Sequence, residues 1–330
     1  MLKVKVDLSA IKKNVRYVKS VYRRKICAVV KANAYGHGLI KTAQAIKNDV
    51  YAFAVATFEE AMTLFEGGIK NKIYVLGASD FTETCPHNIV LSVTNVSQLK
   101  SLTGKLNSVS IKVNTGMNRL GCEPNETDKI FRTALRYGVC VDGIYTHLYN
   151  ATDEDAVVEQ YFRYLEAIKN IHAPIIKHVC ASSCLYLAPK YYFDMARVGI
   201  AIYGYQNKNL TPAMTVSTRI LQLILVRSGQ HVSYGDFTVN KDTVVATLRI
   251  GYGDGLRRNG SLCFVVNGRK CKSVGKICMD MCMIDVTGVN CKVGDEVTLD
   301  VDYLMKSYKI TEYEALTIFN SRAKREYLNG

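Results

Sequence analysis

The 330-residue sequence predicts an α/β fold, with a (β/α)8 barrel followed by a C-terminal all-β domain. Through the first two-thirds of the chain, short β-branched runs alternate with amphipathic helical stretches, which is typical of βα units around a parallel sheet. From about Gln206 the pattern changes to long β-branched runs without helical periodicity. The chain is long enough for its core to divide, so we expect two domains, residues 1–205 and 206–330, with the first few residues pairing with the second domain.

The barrel region is predicted to contain a first helix and then eight strands. Leu8, Ile11, Val15 and Val18 recur at helical spacing and predict the helix. Strands are predicted at Ile26–Val30, Tyr51–Val55, Ile73–Leu76, Ile89–Val93, Val109–Val113, Val139–Tyr145, Ile175–Val179 and Asp194–Val198. Eight βα units within about 200 residues predict a closed TIM-type barrel rather than an open sheet.

Two glycines mark helix ends between these strands. Gly67 follows the helical pattern Glu59–Glu66, and Gly138 follows the pattern Asp128–Tyr137. Glycine is common just past a helix C-terminus because it adopts a left-handed φ without steric cost. Both positions therefore support the alternation of strands and helices.

The C-terminal third is predicted to be built from strands. Long β-branched runs lie at Thr243–Ile250, Leu262–Val266 and Glu296–Val301. The pair Asn267-Gly268 favours a type I′ turn after the second of these runs. We expect the domain to end in a basic tail at Arg322–Arg325.

Composition excludes a disordered or fibrous chain and raises a question about charge. The 43 Lys and Arg exceed the 29 Asp and Glu by 14, and 48% of the residues are hydrophobic. Such an excess of positive charge is frequent in proteins that bind polyanions, so a polyanionic partner stays open here. The longest candidate for a membrane span, Ile220–Val226, is short and contains Gln222, and the first ten residues hold no apolar export segment. We expect a soluble, cytoplasmic protein.

The cysteines predict neither a disulfide scaffold nor a metal site. Eleven cysteines, an odd number, are spread over the whole chain, which favours reduced thiols in a cytosol. The closest pairs, Cys180/Cys184 and Cys278/Cys282, lack the spacing and the histidines of a zinc site. We therefore expect no metal.

Chemically active side chains collect where the predicted barrel strands end. In such barrels the active site is built from residues just past the C-terminal ends of the strands. These positions hold Lys31, Arg119, His147, Ser182, Ser183 and Arg197. Together they suit an anionic ligand with a reactive carbonyl, and pyridoxal 5′-phosphate fits, because a lysine can form a Schiff base with it and serines can hold its phosphate. Each residue alone more often has a structural role, so their joint placement carries the hypothesis.

The segment Ala28–Gly38, AVVKANAYGHG, resembles the pyridoxal-lysine signature of the alanine racemase family. The resemblance continues in order through KVNTGMNRLG, YTHL, ARVGIAIYG, HVSYG, RIGYGDGLRR and VGKICMDMCMIDVT, and so covers essentially the whole chain. It implies a fold-type III pyridoxal phosphate enzyme, a barrel followed by a β domain, acting as a head-to-tail homodimer with composite active sites. It also implies the interconversion of L-alanine and D-alanine by a two-base mechanism that supplies D-alanine for peptidoglycan.

The resemblance assigns roles to individual residues. It makes Lys31 the residue that bonds the cofactor and one of two acid/base groups, while Tyr234 is the second and reaches into the site of the other subunit. Cofactor contacts are implied for Lys31, Tyr35, Leu76, Arg119, His147, Ser182, Arg197, Gly199, Ile200 and Tyr313. Substrate contacts are implied for Arg119, Tyr252, Cys278 and Met279, and Lys112 matches a lysine that is carbamylated in some relatives.

Two positions depart from the family pattern. Asn114 stands where many members have Asp, and Ala181-Ser182 stands where they have an Asn-Ser pair. The first change removes a negative charge near Lys112, and the second removes an amide donor near the cofactor phosphate. Neither position transfers a proton in the implied mechanism, so we expect activity to be retained.

Three alternative interpretations compete with this one, and the sequence argues against the last two. A serine or broad-specificity racemase of the same fold differs only at the substrate end, where Tyr313 favours alanine by inference from the family. A barrel-only pyridoxal phosphate homeostasis protein would lack Tyr234 and the β domain. A non-catalytic basic protein that binds nucleic acid or wall polymer would cluster its basic residues with aromatics, whereas the lysines here are spread over helices.

Overall fold

The computed structural model describes residues 2–77, 85–103, 108–319 and 322–330. The chain divides into two compact units. The barrel unit comprises Ala10–Ala34 and Leu39–Pro212, and the C-terminal unit comprises Met1–Ser9, Tyr35–Gly38 and Ala213–Gly330. Among the described residues, no helix is long and apolar enough to cross a membrane.

The chain begins with strand β1 (Lys3–Asp7) and helix α1 (Leu8–Tyr22). The four residues whose spacing predicted this helix are buried on one of its faces. The eight strands that follow are β2 (Lys25–Val29), β3 (Ala52–Val55), β4 (Lys72–Val75), β5 (Ile89–Val93), β6 (Ser108–Lys112), β7 (Cys140–Tyr145), β8 (Ile176–His178) and β9 (Met195–Val198). The predicted strands are thus all present.

These eight strands form one parallel sheet in the order β8-β7-β6-β5-β4-β3-β2-β9. Backbone hydrogen bonds from Arg197 N to Cys180 O (2.9 Å) and from Asp194 N to Lys177 O (3.0 Å) bring the chain at the two outer strands together. The sheet is therefore a nearly closed barrel, and its strands are almost wholly buried because helices cover the outside and side chains fill the inside. The predicted fold class is confirmed.

Helical segments connect the barrel strands. They are α2 (Lys31–Tyr35), α3 (Leu39–Ile46), α4 (Phe58–Glu66), α5 (Val96–Lys100), α6 (Thr127–Arg136) and α7 (Glu154–Ile168). Thr57 caps the start of α4, and Gly67 follows its last residue. Gly138 has a φ of 68° just beyond α6, as expected for glycine at a helix end.

The C-terminal unit contains a second eight-stranded sheet. Its strands besides β1 are β10 (Met214–Val226), β11 (Thr243–Leu248), β12 (Cys263–Val266), β13 (Arg269–Val274), β14 (Cys282–Asp285), β15 (Glu296–Leu299) and β16 (Lys324–Leu328). The order is β11-β14-β13-β12-β15-β10-β1-β16, and β10 also pairs with β11. Neighbouring strands are antiparallel except β1 and β16, which are parallel. Asn267 and Gly268 both have positive φ, 45° and 81°, which confirms the primed turn between β12 and β13.

Two features of this unit differ from the sequence predictions. The run expected at Glu296–Val301 ends as a strand at Leu299, because the Asp300 carboxylate accepts from Tyr303 N (2.9 Å) and caps α8 (Val301–Tyr308), which α9 (Glu312–Thr317) follows. The expected basic tail is wrong. Lys324–Leu328 is strand β16, because the edge of β1 offers backbone groups that it pairs with.

Candidate active site

Lys31 follows β2 and begins a short segment of unusual backbone. Ala32, Asn33 and Ala34 have φ values of 52°, 55° and 56°, and Tyr35 has 49°. Left-handed dihedrals cost a non-glycine residue about 1–2 kcal/mol each, so side chains must hold this run in place. The Asn33 side-chain oxygen accepts from Leu39 N at 2.8 Å. The loop that carries the lysine is therefore fixed rather than free.

Positive groups from four places in the barrel unit converge at its mouth. Burial, Arg119 and Arg197 lower the pKa of Lys112 to about 8, with a further contribution from Lys31. Burial and Arg119 also lower the pKa of Lys31, against an opposing effect of Glu60. At a pKa of about 8 a fraction of Lys112 is neutral near physiological pH, and a neutral amine is a nucleophile and a proton acceptor.

Arg197 is buried in β9 and connects two histidines. Its Nη2 donates to Nδ1 of His147 (3.2 Å) and to the carbonyl oxygens of Thr146 (2.7 Å) and Val179 (3.1 Å). Its Nη1 donates to Nδ1 of His178 (2.8 Å) and to the His178 carbonyl oxygen (3.1 Å). Nε of Arg197 has no acceptor among the residues that the structure describes. A rigid guanidinium therefore keeps one N–H group available for a ligand.

Both histidines of this network are neutral. Burial, then Arg197, Arg119 and other cations, lower the pKa of His147 to about 3. Burial and Arg197 hold the pKa of His178 well below its usual value. Since a guanidinium only donates, each Nδ1 accepts, and the remaining proton of each ring lies on Nε2.

His178 was absent from the sequence predictions. It is the last residue of strand β8, whereas the predicted site residues follow the strands. Its ring stacks on Tyr145 at a centroid distance of 4.9 Å, and the Arg197 guanidinium carbon lies 5.0 Å from the same Tyr145 ring. Because side chains alternate between the two faces of a strand, the sequence could have predicted that His178 points into the barrel.

The Ser182 side chain forms hydrogen bonds with the backbone that follows β9. Its hydroxyl oxygen accepts from Gly199 N (3.0 Å) and Ala201 N (3.3 Å). Ser182 and Ile200 are both buried, at 3% and 0% exposure. Because the oxygen accepts twice, its own proton remains available to donate to an anion. Ser182, Gly199 and Ile200 therefore lie together in the barrel unit. Two other predicted residues of this unit are also close, because Nζ of Lys112 lies 3.5 Å from the carbonyl oxygen of Leu76.

The remaining predicted residues lie in the C-terminal unit. Tyr252 N donates to the Cys278 carbonyl oxygen (2.9 Å) and Gly253 N to that of Met279 (2.8 Å), so these predicted substrate residues are neighbours. Tyr234 is 61% exposed, and the guanidinium carbon of Arg258 lies 6.0 Å from its ring centroid.

Tyr35 and Tyr313 also lie together in that unit. Their ring centroids are 6.0 Å apart with an interplanar angle of 50°. Burial raises the pKa of Tyr35, so its hydroxyl keeps its proton and can donate a hydrogen bond. The expected site residues are therefore divided between the two units.

Comparison with known proteins identifies the family. The alanine racemase N-terminal domain model matches residues 6–207, and the C-terminal domain model matches residues 213–327. Alanine racemases of Clostridium perfringens and Desulfosudis oleivorans are each 33% identical over 98% of this chain, and 94% and 96% of their own lengths are covered. The solved alanine racemase of Clostridium difficile 630 has a TM-score of 0.94 at 28% identity, with 99% of this chain and 95% of that chain covered. The Bacillus anthracis alanine racemase with bound L-Ala-P has a TM-score of 0.91 at 27% identity, with the same coverage. The chain therefore belongs to the alanine racemase family.

Proposed function

We propose that this protein is a pyridoxal phosphate-dependent alanine racemase that interconverts L-alanine and D-alanine. The observation that carries the proposal is the convergence of Lys31, Arg119 and Arg197 on His147 at the barrel mouth, in a chain that matches alanine racemases over nearly its whole length. We place residues 1–205 as the cofactor-binding domain and residues 206–330 as the domain that supplies the second base.

The donor groups at the barrel mouth fit pyridoxal phosphate. When bound, this cofactor acidifies the α-hydrogen of the amino acid attached to it. Lys31, with its lowered pKa, supplies an amine that can attack an aldehyde. Arg197 offers its Nε–H to a ring nitrogen, and Ser182 offers its hydroxyl proton to a phosphate. Tyr35, Leu76, Gly199, Ile200 and Tyr313 complete the proposed cofactor contacts.

Arginine opposite a ring nitrogen has a chemical consequence for the reaction. A guanidinium does not give up its proton at ordinary pH, so it leaves the ring nitrogen without one. His147, neutral and fixed by Arg197, cannot protonate it either. These residues limit how far negative charge spreads away from the α-carbon, which favours return of a proton to that carbon.

Racemisation needs a proton acceptor on each face of the α-carbon. We assign Lys31 to one face and Tyr234 to the other, with Tyr234 contributed by the second subunit. The exposure of the Tyr234 side chain supports this role, because an exposed phenol is accessible to the site of a second subunit. Arg119 binds the substrate carboxylate, while Tyr252, Cys278 and Met279 limit the space for its side chain.

This arrangement requires a homodimer, which exposed apolar side chains support. Among the described residues, large exposed hydrophobic side chains lie mainly in the C-terminal unit. Strand β10 alone exposes Leu221 (45%), Ile224 (45%) and Leu225 (49%). Exposed apolar side chains are typical of protein interfaces, and a second copy in head-to-tail orientation is our proposed partner. We propose a cytoplasmic location, where D-alanine enters peptidoglycan synthesis.

The function can be tested with the purified protein and added pyridoxal phosphate. We expect conversion of L-alanine to D-alanine and back, with solvent deuterium entering Cα in both directions. The same assay with L-serine decides between alanine and serine as the preferred substrate. Cofactor-dependent absorbance without exchange at Cα for either amino acid would refute the racemase assignment.

A further inference from the structure

The carboxylate of Glu60 bridges the loops that follow β2 and β3 in the barrel unit. Its Oε1 accepts from Ala32 N at 2.6 Å, and its Oε2 accepts from Ala56 N at 2.8 Å. Hydrogen bonds to an ionised carboxylate are stronger than those between neutral groups. One side chain near the start of α4 therefore ties together two backbone segments at the barrel mouth.

The amide that Glu60 binds begins the strained backbone run. Ala32 is the first of four consecutive non-glycine residues with positive φ, and it directly follows Lys31. Such a run persists only where its surroundings hold it. Glu60 restrains its first amide, and Asn33 restrains its far side through Leu39 N.

Glu60 also acts on the charge of the lysine. Burial and Arg119 lower the pKa of Lys31, and Glu60 raises it. In the part of the chain that the structure describes, Glu60 is the acidic residue whose charge acts on Lys31. The Glu60 carboxylate thus opposes the effect of Arg119 on the pKa of Lys31.

We propose that Glu60 is a positioning residue that sets the place and reactivity of the Lys31 amine through the Ala32 amide. Glu60 is not among the residues proposed to contact substrate or cofactor, and it acts through the backbone next to the lysine. This inference rests on the proposed role of Lys31 and is independent of which amino acid is racemised.

The test compares Glu60→Gln with the matched control Glu59→Gln in the full-length protein. Glutamine keeps the shape of Glu60 but has one acceptor oxygen, so it can satisfy only one of the two amides. Glu59 lies in the same helix, and its side chain interacts with Thr57 rather than with the lysine loop. The control therefore removes the same charge without breaking the bridge.

Two readouts are required. Amide hydrogen exchange at Ala32, at Ala56 or at both should accelerate about tenfold in Glu60→Gln, because one amide oxygen cannot accept from both groups and a bond that remains is no longer charge-assisted. The rate at which pyridoxal phosphate attaches to Lys31, followed by absorbance and borohydride trapping, should fall about tenfold and have a shifted pH profile. Glu59→Gln should match the unmodified protein in both.

The outcomes separate this inference from the proposed function. Unchanged exchange at both Ala32 and Ala56 overturns the bridge, and faster exchange at either amide with an unchanged attachment rate and pH profile overturns the positioning role. If Glu60→Gln fails to fold, the same two measurements are made on Glu60→Asp, whose side chain keeps the charge but is too short to reach both amides. If pyridoxal phosphate does not attach to the unmodified protein, the proposed role of Lys31 is overturned, and with it the proposed effect of Glu60 on the Lys31 amine.

Discussion

Nη2 of Arg197 lies 3.2 Å from Nδ1 of His147. A guanidinium has no acceptor, so this contact fixes the proton of His147 on Nε2. The same guanidinium holds His178 on its other terminal nitrogen. One arginine therefore sets the tautomer of two imidazoles while its Nε stays available at the barrel mouth.

Replacing Arg197 with lysine should disrupt this network. A single ammonium cannot hold both rings and also offer a planar N–H, so we expect racemisation to fall by about 10²-fold or more. Nitrogen NMR of the histidines should show mixed tautomers at His147. Arg136→Lys, at an exposed position at the end of α6, should leave both measurements unchanged. A single Nε2–H tautomer in Arg197→Lys would contradict the assigned role.

Replacing Tyr234 with phenylalanine should remove one of the two proposed proton-transfer groups. We expect deuterium incorporation at Cα to fall by about 10²–10⁴-fold, and more steeply in the L-to-D direction, while cofactor absorbance is retained. Tyr186→Phe is the matched control, because that tyrosine is 70% exposed and donates only to the Gln206 carbonyl oxygen. Equal rates in the two variants would remove Tyr234 from the mechanism.

Lys112 should make stability depend on pH. Its folded pKa of about 8 is below the ordinary 10.5, so the charged form destabilises the fold at pH 8 and below. This destabilisation disappears as pH rises from 8 to 10.5, because the folded state loses the proton first. Lys112→Met should therefore unfold at a higher temperature than the unmodified protein at pH 7, by an equivalent of at most about 3 kcal/mol, and the difference should vanish near pH 10.5. A constant difference across this range would contradict the prediction.

The same lysine is our candidate for carbamylation. A partly neutral amine surrounded by Arg119 and Arg197 can react with carbon dioxide, and the resulting anion would be stabilised by both arginines. Labelled bicarbonate should produce a carbamate carbon signal and raise the unfolding temperature of the unmodified protein. Neither effect should occur in Lys112→Met, and a signal that persists in this variant would place the carbamate elsewhere.

Gly36 should be intolerant of a side chain for two separable reasons. It has a φ of 80°, and an added Cβ would lie well inside van der Waals contact of the Leu316 carbonyl oxygen. Gly229 has a φ of 83° and no atom within 4 Å of an added Cβ. We expect Gly229→Ala to cost about 1 kcal/mol and Gly36→Ala about 2 kcal/mol more, measured by thermal unfolding. Equal costs would show that Leu316 moves aside freely.

The exposed part of β10 should control association if the homodimer proposal is right. Ile224→Lys places a charge among the exposed apolar side chains of β10, so sedimentation velocity should show at least a tenfold weaker dimer. Activity should fall with it at low protein concentration, since Tyr234 is proposed to act in the other subunit. Val293→Lys, at another exposed apolar position, serves as the control. A dimer of unchanged strength in Ile224→Lys would move the interface elsewhere.

Much of the fold could be predicted because it depends on local patterns. The alternation of buried strands with helices located all eight barrel strands, and Asn267-Gly268 located a hairpin through its backbone preferences. Strand β16 was missed because basic residues at Lys324 and Arg325 suggest a solvated tail. Their pairing with β1 depends on residues more than 300 positions away in the chain.

The site was predictable where residues follow strands and not where tertiary contacts define their role. His178 is the last residue of β8, and although alternation along the strand predicts that it points inward, it does not distinguish a site residue from a packed histidine. Glu60 resembles any acidic residue in the first turn of a helix. The left-handed run after Lys31 contains no glycine until Gly36, so residue preferences argue against the backbone that forms there.

The position of β1 between β10 and β16 has a consequence for biosynthesis. Residues 3–7 hydrogen-bond to strands that begin at residues 214 and 324. On the ribosome, this early segment has neither neighbour until most of the chain has been made, and pairing across such separations is slow. The C-terminal sheet is therefore completed only after β16 has been made, and until then β1 is an open edge for chaperones to shield.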